Sequence, residues 1–131
     1  MKKLTEEDIK YRYITPAIEE SGWKKEQVFM EYFFKDGQVL VRGNTVKRGK
    51  RKKADYLLTH KDGNIPLAIV EAKDADHSVG AGMQQAMEYA EILNIPFAYS
   101  SNGSGFLEHD FFTGAESELT LDSFPSTEEL W

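Results

Sequence analysis

An acidic pair placed symmetrically about a turn constrains this chain more than any other feature. Asp55 and Glu71 each lie eight positions from Gly63, the middle of the turn signal Asp62-Gly63-Asn64. The flanking segments, Ala54 to Thr59 and Pro66 to Ala72, read as two strands of a hairpin. Folded about Gly63, that hairpin sets Asp55 directly across from Glu71, where Cβ atoms stand about 4.5–5.5 Å apart and like charges destabilise the sheet. A sheet tolerates such a pair when positive charge stands between the carboxylates. Mg2+ is the natural candidate, because it takes oxygen ligands from one or two carboxylates and completes its shell with water and phosphate; Mn2+ accepts the same donors. Lys73 follows Glu71 by two residues and is expected on the same face. Two carboxylates, a divalent cation and an ammonium are equipment for cutting a phosphodiester. The competing reading is a cross-strand salt-bridge cluster, since acid-x-Lys alone is a common pattern. The upstream aspartate, the apolar strand before Glu71 and the symmetric turn favour catalysis.

Composition removes several other classes. With 131 residues the chain fits one domain, and a domain of this size buries about two thirds of its extended surface. It has no cysteine, so a disulfide or thiolate metal site is excluded, in keeping with a reducing cytoplasm. The N-terminus lacks the apolar core of a signal peptide, and no apolar run reaches membrane-spanning length. His60, His77 and His109 have no ligand-like spacing, and neither a Walker phosphate loop nor a Gly-x-Ser-x-Gly elbow is present. A net charge of −6 opposes nucleic-acid binding, yet Lys47, Arg48, Lys50, Arg51, Lys52 and Lys53 gather six of the 16 basic residues in one stretch. This stretch is expected to be a loop running into the strand of Asp55, where it can contact phosphates without reading sequence.

Thr5 is expected to cap a first helix reaching about Ser21, with Glu6, Glu7 and Asp8 in its first turn. Ile14, Ala17 and Ile18 form its apolar stripe, extended by Tyr11; Pro16 kinks or divides it, and Gly22 stops it. Val28 to Phe34 and Val39 to Val41 read as a hairpin turning at Asp36-Gly37. Pro66 to Ala72 is apolar on both faces until Glu71, as a central strand requires. A second helix is expected from Ser78 to Leu93, then strands from Phe97 to Ser100 and Gly105 to Phe112. In that helix Val79, Met83, Ala86, Ala90 and Leu93 mark the core stripe, while Gln85 and Tyr89 share a neighbouring face. That pair either tops the core or holds a phosphate beside the acidic site, and Gly80 and Gly82 permit close approach of backbone or substrate. The order of elements predicts an α/β (α+β) fold, a single mixed central sheet flanked by helices, spanning 1–131 as one domain. The acidic tail from Ala115 is loosely patterned and ends in TEELW, which reads as a helix cut short and hence as a fragment of a longer protein. A naturally small protein is the alternative.

Taken together, YRYITPAIEESGW, RGKRKKADYLL, IPLAIVEAK, QQAMEYA, IPFAYSSNG and FPSTEELW carry a family resemblance over nearly the whole chain. The chain resembles the PD-(D/E)xK nuclease superfamily, and within it the N-terminal endonuclease domain of the R (restriction) subunit of type I restriction-modification enzymes. The resemblance implies a metal-dependent DNA cleavage domain without sequence recognition of its own. It implies double-stranded DNA and the modification and specificity subunits as partners, and ATP only in motor domains outside this chain. It assigns Asp55 and Glu71 to Mg2+, with the Ala72 carbonyl as a further ligand, and makes Lys73 the catalytic lysine. Gln85 and Tyr89 match the family's Gln-x-x-x-Tyr motif, and Glu6 matches an acidic position in the first helix. Ala54 stands where the motif's name has proline. A stand-alone nuclease of the same fold, acting on damaged or branched DNA, remains an alternative, as does a non-catalytic docking module.

Overall fold

A computed structural model describes residues 4–35, 38–41, 45–48, 51–61 and 65–131; for 38–41 and 45–48 it describes the backbone alone. The chain opens with a capping box. Asp8 N donates to Thr5 Oγ1 at 3.1 Å, and Thr5 N donates to Asp8 Oδ2 at 2.9 Å. Helix α1 (Glu6–Ile9) then widens into a π-helical turn (Lys10–Ile14) and continues as α2 (Thr15–Glu20). The expected division at Pro16 therefore takes the form of a wider turn just before it. Proline lacks an N–H and its ring crowds the carbonyl four residues back, which the extra residue of a π turn accommodates. Gly22, at φ +105°, follows the end of α2.

Among the described residues the strands that follow are β1 (Val28–Lys35), β2 (Gln38–Val41), β3 (Thr45–Arg48), β4 (Arg51–His60), β5 (Ile65–Ala72), β6 (Phe97–Ser101), β7 (Phe106–Asp110) and β8 (Glu116–Leu119). Six form one mixed sheet in the order β1-β4-β5-β6-β7-β8, while β2 and β3 pair separately. The expected β1–β2 hairpin is thus replaced by antiparallel pairing of β1 with β4, Phe33 lying opposite Lys53. β1 stands at the edge of the sheet and β4 occupies one side of it only; four-residue β2 goes instead to β3, a partner of equal length, with Leu40 opposite Val46. The Asp36-Gly37 turn lies outside the described residues. The basic stretch is not a loop either. Lys47 and Arg48 close β3, and Arg51, Lys52 and Lys53 open β4, which extends to meet β1; Lys50 lies outside the described residues.

β5 and β6 run parallel, a pairing that needs a crossover connection. The connecting helix α3 covers Met83–Leu93 and begins later than the sequence pattern predicts. Residues 78–82 form turns instead, since Gly80 and Gly82 weaken a helix start. Asn94 ends α3 in the left-handed region, at φ +57°. The tail is more ordered than its composition indicates. β8 pairs with β7, with Leu119 opposite Phe106, and a short helix α4 (Thr127–Leu130) is capped by Ser126.

Two cores lie on the two faces of the sheet. On one, Ile9, Ile14 and Ile18 pack with Tyr56, Val70 and Tyr99. On the other, Met83, Ala86 and Ala90 of α3 pack with Ile69 and Ala98. Alternation along β5 and β6 feeds both layers, which explains why the PLAIVEA segment is apolar on both faces.

Candidate metal and phosphodiester site

The antiparallel pairs Tyr56–Val70, Leu57–Ile69 and Leu58–Ala68 keep the symmetry about Gly63. A bulge between Leu58 and Thr59 shifts only the far end, giving Thr59–Pro66 and His60–Ile65. The ladder pairs end at Tyr56–Val70, and beyond them Asp55 and Glu71 are tied together through side chain and backbone. Each carboxylate accepts a backbone N–H from the other's strand: Asp55 N donates to Glu71 Oε2 at 2.7 Å, and Ala72 N donates to Asp55 Oδ2 at 2.8 Å. These reciprocal bonds fix both side chains and leave Asp55 Oδ1 and Glu71 Oε1 outside them.

Both acids are buried, Asp55 at 7% and Glu71 at 3% exposure. Burial, and next the Asp55 carboxylate, push the Glu71 carboxyl up to about 8; the Asp55 N–H and Lys73 oppose the rise, and Glu6 adds to it. Glu6 is itself raised by burial and then by Asp55, with Lys73 pulling it back. It therefore lies within the field of the pair. Among the described residues, however, no group of three or more histidine or acidic side chains is placed to hold a metal ion, so Glu6 does not complete a three-ligand cluster.

Lys73 leaves the end of β5 and is anchored by its N–H, which donates to Ser101 O at 2.8 Å. Gly82 brings the turn before α3 against this corner. A Cβ there would stand 3.0 Å from Ser100 Oγ, 3.4 Å from Glu71 Cβ and 3.6 Å from Lys73 Cε. The Gly82 N–H donates to Ser100 Oγ at 2.9 Å. Glycine here is what lets α3 approach Glu71 and Lys73 together.

α3 carries Gln85 and Tyr89, with Gln85 Nε2 donating to Tyr89 Oη at 2.5 Å. The Tyr89 ring is buried edge-on to Phe34, 5.1 Å between centroids, so it tops the core while its hydroxyl meets Gln85. Lys52, Lys73, Gln85, Glu88 and Tyr89 line one open cleft of about 420 Å³. Lys52 reaches it from β4, its ammonium 3.4 Å from Glu88 Oε1. Lys53 pairs with Glu31 at 3.1 Å, and Arg51 lies 4.2 Å from the Phe33 ring centroid. The side chains of Lys47, Arg48 and Lys50 are outside the described residues.

One residue escaped the sequence reading. Lys10 is 1% exposed, with its ammonium 3.7 Å from Asp55 Oδ1 and 3.4 Å from Glu7 Oε1. The signal was present: Lys10 falls in line with Ile14, Ala17 and Ile18 at i, i+4, i+7 and i+8, the buried stripe of the first helix.

The donor chemistry fits a divalent cation with oxygen preference. Two rigidly held carboxylates keep one oxygen each outside their backbone bonds. Two protein carboxylates suit Mg2+, which retains waters and takes phosphate oxygens.

A mixed sheet flanked by helices, with two buried carboxylates tied together across adjacent strands and Lys73 lining a neighbouring cleft, defines an α/β class of domain. More narrowly, this chain belongs to the family described as "Type I restriction enzyme R protein N terminus", whose model matches residues 5–125. It is 46% identical over 137 aligned positions to the type I restriction enzyme EcoAI endonuclease subunit of Escherichia coli. The alignment covers 100% of this chain and 17% of that protein. A solved fragment assigned to the HsdR subunit of a type I restriction enzyme from Vibrio vulnificus YJ016 superposes with a TM-score of 0.81 at 45% identity. That match covers 99% of this chain and 25% of the solved one. Among the described residues no helix is long and apolar enough to cross a membrane.

Proposed function

We propose that this chain is the Mg2+-dependent DNA endonuclease domain of a type I restriction enzyme R subunit, a PD-(D/E)xK nuclease that hydrolyses phosphodiester bonds without sequence specificity of its own. The observation that carries this reading is the locked pair, Asp55 and Glu71 bonded through each other's backbone with Lys73 beside them. Asp55 Oδ1, Glu71 Oε1 and the Ala72 carbonyl are the atoms that would hold the ion. When bound, Mg2+ lowers the pKa of a water and neutralises charge on the scissile phosphate. Lys73 orients the attacking water or stabilises the pentavalent transition state. In the hydrolysis the water oxygen bonds to phosphorus and gives up a proton, the phosphorus bond to the leaving oxygen breaks, and the leaving oxygen takes up a proton. Gln85 and Tyr89 hold a phosphate or brace the site from the cleft. Arg51, Lys52 and Lys53, with Lys47, Arg48 and Lys50, contact backbone phosphates.

By this reading the partners are double-stranded DNA and the modification and specificity subunits, ATP serves motor domains elsewhere in the subunit, and the enzyme works in the cytoplasm. The test is Mn2+ or Mg2+ titration of the wild type, Asp55→Ala and Glu71→Ala, alongside nicking of plasmid DNA by the reconstituted complex. Metal binding and nicking should both be lost in each variant. Binding unchanged in both would refute the assignment.

A further inference from the structure

Lys10 is used by nothing in the mechanism above. Its ammonium is buried, and such a charge is costly unless paired. Its partners are Asp55 Oδ1 at 3.7 Å and Glu7 Oε1 at 3.4 Å, with the Tyr56 ring centroid 5.8 Å away. A charge-assisted hydrogen bond to a carboxylate is about 2.7–2.9 Å. At 3.7 Å Lys10 therefore neutralises Asp55 by its field while leaving a lone pair of Oδ1 open to another ligand.

The placement of Lys10 is built in. Its carbonyl accepts the Thr15 N–H that closes the π turn. Tyr56 Oη lies 2.6 Å from Thr15 Oγ1 and donates to the Lys10 carbonyl at 3.5 Å. The first helix is thus clamped to β4 one residue from Asp55, and π turns recur at functional sites.

Resting on the metal reading of Asp55 and Glu71, we propose that Lys10 is the resident counter-ion of the site, a positioning residue that neutralises Asp55 in the absence of metal and competes with the divalent cation for it. A fixed cation beside the ligand oxygen lowers affinity for a second cation. A DNA phosphate entering the cleft brings the opposing negative charge, so metal loading becomes conditional on substrate. Glu7, 70% exposed, shares the ammonium from the solvent side and moderates its hold on Asp55.

The test is Mn2+ binding to the 131-residue chain, by calorimetry or electron paramagnetic resonance, without DNA. Lys10→Met keeps the length of the side chain and removes its charge. It should tighten Mn2+ binding about tenfold or more, a change of the size one nearby charge produces, and lower the melting temperature in EDTA. Glu7→Gln, at an exposed position, should shift affinity the other way, weakening it severalfold. In the Lys10→Met background Glu7→Gln should have less than about a twofold effect, because the two act through one ammonium. A merely structural lysine would alter melting temperature and leave Mn2+ affinity where it was. That outcome, or weaker binding in Lys10→Met, overturns the proposal. If Lys10→Met fails to fold, Glu7→Gln decides it, and unchanged affinity there overturns it equally. Mn2+ binding that survives Asp55→Asn overturns the metal reading and this inference with it. Binding lost in Asp55→Asn but indifferent to Lys10 and Glu7 overturns this inference alone.

Discussion

Replacing Glu71 by glutamine should make the metal-free protein more stable in mild alkali. The Glu71 carboxyl is pushed from 4.5 up to about 8 by burial and by Asp55. The sign follows from proton counting. Between about pH 4.5 and 8 the folded state holds a proton that the unfolded chain has released. Stability from this group is complete below the unfolded value and declines as pH rises through the window. One pKa unit corresponds to about 1.4 kcal/mol, so the whole window is worth on the order of 5 kcal/mol and the loss by pH 7 roughly 3 kcal/mol. Those are large fractions of the roughly 5–15 kcal/mol that stabilises an ordinary domain. Glutamine cannot ionise, and its carbonyl oxygen can keep accepting the Asp55 N–H. Urea unfolding of both proteins in EDTA, from pH 5 to 9, provides the assay. The difference between the curves cancels the histidines and other titrating groups that the two share. Glu71→Gln should overtake the wild type with rising pH, by a few kcal/mol at pH 8, and added Mg2+ should rescue the wild type only. Parallel curves across the window would refute the claim that burial and the Asp55 carboxylate raise the Glu71 carboxyl.

Other outcomes follow from the same geometry. Lys73→Ala should reduce DNA cleavage by the reconstituted complex on the order of 100- to 1000-fold, the usual effect of losing one essential electrostatic partner, while circular dichroism and ATP hydrolysis stay unchanged; full cleavage would remove Lys73 from the mechanism. Gly82→Ala places a Cβ 3.0 Å from Ser100 Oγ and 3.4 Å from Glu71 Cβ. Its contact strain is opposed by about 0.4–1 kcal/mol from a stiffer unfolded chain, so melting should move little while nicking falls; normal nicking would show that the approach of α3 does not position Glu71 and Lys73. Replacing Arg51, Lys52 and Lys53 by alanine should weaken DNA binding equally across sequences. It should also flatten the log–log salt dependence by about 0.9 per lost phosphate contact, measured by fluorescence anisotropy of the complex; an unmoved slope would assign these residues to the protein surface alone.

The acidic pair was legible because it depends on a local rule. Antiparallel pairing of β4 with β5 brings the two acids together, but the count is interrupted: His60–Ile65 and Thr59–Pro66 are centred half a residue before position 63, and the bulge between Leu58 and Thr59 restores the symmetric pairs Leu58–Ala68, Leu57–Ile69 and Tyr56–Val70 that lead to Asp55 and Glu71. The Thr5 cap, the Gly22 stop and the two-faced burial of β5 were readable for the same reason: each follows from spacing within a few residues. What the sequence could not decide was competition between distant partners. β1 looked like one arm of a hairpin with β2, but β2 pairs with β3 and β1 with β4, which places Arg51, Lys52 and Lys53 in a strand and not in the expected loop. The later start of α3 is set by a tertiary contact as well, since Gly82 spends its N–H on Ser100 of β6. Lys10 sat visibly on an apolar stripe, yet only the docking of the first helix against β4 showed which carboxylate it faces. Caps and face alternation are set by neighbours along the chain. The choice of strand partner and the pairing of a buried charge are set by the total surface that the whole sheet can remove from water, and that sum exists only once the sheet is assembled.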